Sequence, residues 1–119
     1  MIHCLKTNLH AHTDELAGTF RRWHASSYPV AEVLRLHEQR GFDALAITEH
    51  DAASSVESND LAAQLIAERG SNMIQLRGHE RDFEGRFHLV ELLQDGRVVL
   101  CILCHPVRSK PEIDLVAAV

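Results

Sequence analysis

The spacing of apolar positions alternates along the chain between the two-residue period of strands and the 3.6-residue period of helices. Residues 2–9 alternate weakly and predict a first strand ending at His10. Residues 11–28 contain Gly18 and Ser26-Ser27 and predict a long loop. Val30, Val33, Leu34 and His37 then repeat at helical spacing. Pro29 suits the first turn of that helix, Ser27 offers a cap, and Gly41 stops it. The run FDALAI, residues 42–47, predicts a short buried strand, and residues 48–58 are polar and predict a loop. Asn59 or Asp60 caps a second predicted helix that runs to Arg69 and stops at Gly70, with Leu61, Leu65 and Ile66 as its apolar stripe. Residues 72–77 predict a third strand, and residues 87–93 and 97–104 two more, joined by the turn pair Asp95-Gly96. The order β-α-β-α-β-β-β predicts an α/β fold whose first half is built from parallel βαβ units.

Composition narrows the class. A chain of 119 residues, 45 % hydrophobic and 24 % charged, has the balance of one soluble globular domain spanning 1–119. No apolar run approaches the roughly 18 residues of a membrane span, and MIHCLKTN lacks a secretory leader's apolar stretch. The expectation is a cytoplasmic protein with no membrane contact. Seventeen acids against twelve bases give a net charge of −5, without the basic patch of a nucleic-acid binder. Three cysteines, an odd count, point to free thiols. Residues 101–105, C-I-L-C-H, match the c-type haem attachment pattern. On a strand, however, Cys101 and Cys104 point to opposite faces, so both are expected as buried core thiols.

Histidine is what the composition singles out: there are nine. Several fall at predicted strand ends, where parallel α/β folds gather their functional groups. The first strand ends in His10-Ala11-His12, whose imidazoles share a face at i and i+2. The second ends in Thr48-Glu49-His50-Asp51, the third in Gly78-His79-Glu80, and the last in His105-Pro106. Imidazoles next to carboxylates suit Zn, Mn or Fe. Glu49 and Asp51 are expected to orient the neighbouring imidazole. His79 falls on the opposite strand face from Glu80, and His37 lies on the apolar side of its helix.

The ordered motifs N-L-H-A-H-T, A-I-T-E-H-D, R-G-H-E, F-H-L-V and C-H-P resemble those of the PHP (polymerase and histidinol phosphatase) family, over about residues 3–108. The resemblance implies a distorted β/α barrel, here incomplete, with about five strands and two or three helices. It implies one to three divalent metal ions (Zn, Mn or Fe) per chain and hydrolysis of a small-molecule phosphate ester by a metal-activated water. Position by position, it implies that His10 and His12 hold a first ion and that Glu80 bridges the first and second. It gives His88 and His105 to the second ion, His50 to the third, and His24 as a further ligand before the first helix. Glu80, His50 and Arg108 are the expected catalytic residues, Arg108 by meeting a substrate phosphate.

The family's late D-x-H motif does not occur in these 119 residues. The expectation is therefore the front portion of a PHP domain: truncated, completed by a partner, or holding fewer metals. A homo-oligomer that completes the sheet is one such partner. The competing function is a catalytically inactive metal-binding or regulatory module of the same fold. An amidohydrolase-like centre would need a lysine between its metals, and the only lysines are Lys6 and Lys110.

Overall fold

The computed structural model describes residues 4–14, 28–83 and 87–104. Among them are β1 (Thr7–Ala11), α1 (Val30–Gln39), β2 (Ala44–Ile47), α2 (Ala52–Arg69), β3 (Ile74–Phe83), β4 (Phe87–Gln94) and β5 (Arg97–Cys104). The order of elements is the one the periodicities predict. The strands form one mixed sheet in the order β1-β2-β3-β4-β5. β1, β2 and β3 pair in parallel, and β3, β4 and β5 pair antiparallel.

Both helices cover one face of the sheet. Val30, Val33 and Leu34 of α1 and Ala62 of α2 pack with Leu45, Ile47, Ala11 and Met73. The alternate residue of β2, Ala46, faces the other way, into a second apolar cluster with Val90 and Leu92 that Leu9, Leu76, Ile102 and Cys104 flank. This second face is strongly concave. In a flat sheet, β1 and β5 would lie about 19 Å apart at roughly 4.8 Å per strand. Yet ligand atoms of His10 on β1, Glu80 on β3 and Cys104 on β5 lie within 4.8 Å of one another. The sheet is thus curled into a half-barrel with Glu80 at its focus. Gly78 permits a close approach of β4 to β3. A Cβ there would sit 2.6 Å from the Glu91 carbonyl oxygen and 2.9 Å from Leu92 Cδ2.

Gly41, at φ 73°, follows α1 as its stop. Asp95 and Gly96, at φ 52° and 75°, give the β4–β5 hairpin the two positive-φ residues of a type I′ turn. Several expectations need correction. β1 starts at Thr7, because residues 4–6 lie outside the strand. α1 is preceded by Pro29 without a side-chain cap, and Ser27 lies outside the described residues. α2 begins at Ala52, so residues 52–58 are helix and not loop; its N-cap is Asp51, whose side chain accepts from Ser54 N. Asn59 lies inside the helix and is buried, Leu61 is exposed, and Ala62 takes the core position. β3 runs from Ile74 through Phe83, so Glu80 sits within the strand and not at its end. Cys101 is exposed on edge strand β5, whereas Cys104 is half-buried.

Candidate metal centre

The site is built around Glu80, a carboxylate 2 % exposed on the concave face. Its neighbours arrive from three directions. β1 delivers His10 and His12, and a bulge aims them. Thr7 and Asn8 pair with Ala44 and Leu45, but Ala11 pairs with Ile47, so β1 carries one extra residue. Because of it, Leu9 packs on the concave face while Ala11 packs on the helix face, although they are two residues apart. An extra residue leaves a backbone amide without a ladder partner. Here the His10 amide donates to Asn8 Oδ1 at 3.1 Å. Asn8 Nδ2 in turn donates to His37 Nε2 at 2.8 Å, and His37 Nδ1 donates to the Val33 carbonyl at 2.7 Å. His37 is therefore a structural link from α1 to the bulge.

Beyond β2, the chain continues to alternate. Thr48 and His50 face the concave side, and Glu49 points toward α2. Thr48 N donates to the Ala11 carbonyl and Glu80 N to the Glu49 carbonyl, both at 2.8 Å, so the segment is pinned between β1 and β3. Thr48 Oγ1 lies 2.7 Å from His10 Nδ1, which leaves Nε2 to face Glu80. The hairpin strands bring the third set: Asp82, His88 and Cys104 stand opposite one another across β3, β4 and β5.

The two oxygens of Glu80 face different partners. Oε2 lies 2.9 Å from His12 Nε2, 3.3 Å from His50 Nε2 and 3.8 Å from His10 Nε2. Oε1 lies 2.7 Å from His88 Nδ1 and accepts from Cys104 Sγ at 3.6 Å. The His12 and His50 rings stack with centroids 4.2 Å apart. Burial pushes the Glu80 carboxyl up, but the hydrogen bond from His12 and the charges of His10, His12 and His50 outweigh it and hold it at about 2. Burial beside the Glu80 charge pushes the Cys104 thiol up to about 12.

Glu49 supports the site from behind. It is fully buried, and it accepts from Thr13 N at 2.9 Å, from Thr13 Oγ1, and from Ser58 Oγ at 2.8 Å. Its Oε1 lies 3.7 Å from His12 Nδ1. Burial raises its carboxyl, yet the nearby His12 and the hydrogen bonds from Thr13 and Ser58 prevail and keep it below the usual carboxylate range. Glu49 thus faces His12, not the adjacent His50. Asp51 is occupied as the α2 cap, accepting from Ser54 N and Ser54 Oγ at 2.8 Å each. Its expected role as an orienter of His50 gives way to that.

Of the residues singled out from sequence, the fold gathers His10, His12, His50, Glu80 and His88. His24, His105 and Arg108 lie outside the described residues. His79 faces away from Glu80, as its parity requires, and pairs with Glu91 at 3.0 Å. Sequence reasoning missed Thr13, Ser58 and the placement of Cys104 beside Glu80. A cysteine at a strand end next to histidine was the available signal.

Among the described residues, two groups have the ligand type and spacing to hold a metal ion: His12, His50 and Glu80, and His10, Glu80 and Cys104. Both include Glu80. The grouping differs from the resemblance, which pairs His10 with His12. Neutral imidazoles and a carboxylate are a borderline donor set that fits Zn, Mn or Fe. A carboxylate with a separate histidine set on each oxygen has the form of a bridging ligand. No protein-family model matches the chain, and no curated protein is significantly similar to it. Among the described residues, no helix is long and apolar enough to cross a membrane.

Asn8 offers a test of how the site is aimed. Asn8→Ala is expected to leave the bulge amide without its acceptor, costing about 1–3 kcal/mol of stability. Zinc affinity should fall with it, because the backbone of His10 loses the bond that sets it in the bulge. Urea midpoints and calorimetric zinc titration check this; no change in either would show that the bulge stands without Asn8.

Proposed function

We propose that the chain is a divalent-metal-dependent phosphoesterase centred on Glu80, acting on a small-molecule phosphate ester. One observation carries the reading: a buried carboxylate meets the imidazoles of His10, His12 and His50 on one oxygen and His88 on the other. His12, His50 and Glu80 hold one ion position, and Glu80 is shared with a second. Divalent ions in such a centre lower the pKa of a water toward about 7 and neutralise phosphoryl oxygens. The chain itself supplies orientation. Thr48 holds the His10 ring, Glu49 lies behind the His12 ring, and Glu80 is buried at the focus of the curl. A phosphate monoester is an anion, and the protein carries −5 overall. Binding it beside Glu80 and Glu49 therefore requires cations at the site. The PHP type of the barrel and cytoplasmic location belong to the same proposal.

Metal removal tests it. Turnover of a chromogenic phosphate monoester is expected to fall to background on chelation and to return with Zn²⁺, Mn²⁺ or Fe²⁺. Metal binding without turnover under any of these ions would overturn the phosphoesterase reading in favour of an inactive metal-binding module.

A further inference from the structure

We propose that Cys104 is a metal ligand, so that the centre has two unlike positions sharing Glu80: a nitrogen–oxygen position and a thiolate-bearing position that selects zinc over manganese. The inference rests on the reading of Glu80 as a metal centre and adds the chemistry that distinguishes its halves.

The placement of the sulfur carries it. β5 ends with Cys104 on the concave face, in the cross-strand row that contains His88 and Asp82. Its Sγ lies 3.6 Å from Glu80 Oε1 and 3.3 Å from the His88 carbonyl oxygen. Two ligands at about 2.3 Å (sulfur) and 2.1 Å (oxygen) from one tetrahedral zinc stand about 3.6 Å apart. His10 completes the group, and its ligand atom lies within 4.8 Å of both the others. Thr48 lies against His10 Nδ1, and Nε2 is the nitrogen that faces Glu80. Cys101, three residues earlier on the same strand, is exposed, so β5 presents one thiol to the site and keeps the other outside. Thiolate is a soft ligand that favours zinc and disfavours manganese, whereas an imidazole–carboxylate position accepts both. As the metal–sulfur bond forms, the S–H proton passes to buffer.

Cobalt(II) reports thiolate ligation directly. Metal-free protein loaded with Co²⁺ alone is expected to show an intense near-ultraviolet sulfur-to-cobalt charge-transfer band. The Cys4→Ser/Cys101→Ser double variant, whose single remaining cysteine is Cys104, should keep that band. Cys104→Ser should lose it and still bind cobalt at His12, His50 and Glu80. Its preference for zinc over manganese should fall on the order of 10–100-fold or more, at least the loss typical of a residue behind a ligand. Cobalt bound without the band in the double variant, or a band surviving in Cys104→Ser, overturns the assignment of Cys104 and leaves the Glu80 centre standing. No cobalt bound to wild type overturns both. The double variant decides the question even if Cys104→Ser does not fold.

Discussion

Replacing Glu80 by glutamine is expected to bring phosphoester turnover to background and to strip the centre of metal. Glutamine keeps the shape of the side chain and removes its charge. Loss of a residue that merely orients a ligand costs roughly 10–100-fold in metal affinity. Glu80 belongs to both candidate positions, so its loss must exceed that. The metal-free protein should register the change as well. The Glu80 carboxyl sits at about 2 in the fold, against an ordinary value of 4.5. A depressed carboxyl contributes stability that is complete above the unfolded value and is lost as pH falls toward the folded one. Chelated wild type should therefore lose stability in acid below about pH 4.5, and Glu80→Gln should lose less over the same interval. Urea midpoints at stepped pH and a turnover assay read both effects. Undiminished turnover in Glu80→Gln would contradict the role given to Glu80.

Glu49→Ala is expected to be the most destabilising single change among the described site residues. The side chain is fully buried and gathers Thr13 and His12 from the end of β1 and Ser58 from α2. Alanine leaves those donors facing a cavity. Removing one partner from a buried charged network costs about 3–5 kcal/mol. That is a large part of the roughly 5–15 kcal/mol by which a domain is stable. Glu49→Gln keeps the volume and one accepting oxygen, so about 1–3 kcal/mol is expected. Because Glu49 faces His12 Nδ1, the glutamine variant should also bind zinc roughly 10–100-fold more weakly. Urea denaturation and zinc titration separate the two consequences. Wild-type stability in Glu49→Ala would show that the network does not hold the end of β1 against α2.

The legible parts of this protein were those with a period. Val30, Val33 and Leu34 mark α1 at helical spacing and are buried; Asp95-Gly96 marks the hairpin. Within His-Ala-His, Thr-Glu-His and Gly-His-Glu, strand parity brings His10, His12, His50 and Glu80 to one face. The first turns of α2 are illegible because their buried face is polar: Ser54 caps the helix with Asp51, while Ser55, Ser58 and Asn59 serve Glu49 and the β2 backbone instead of a greasy core. The sequence pattern of Asp51 followed by Ser54 was the one cap signal available. The bulge in β1 was equally hidden, since one extra residue changes no composition; it shows only in the register of Asn8 and Ala11. β3 extends beyond the predicted 72–77 because Arg81 and Asp82, exposed and charged, still pair with β4. Cys104 read as core because its neighbours are apolar; only the curl of the sheet reveals that its sulfur meets Glu80.

The central claim is that Glu80 nucleates a multinuclear metal centre. Elemental analysis of metal per chain, on tag-free protein never exposed to chelator, tests it most directly beside Glu80→Gln. Two or more ions per chain in the wild type, lost in the variant, is the expected result. No metal, or a single ion indifferent to Glu80, would contradict it.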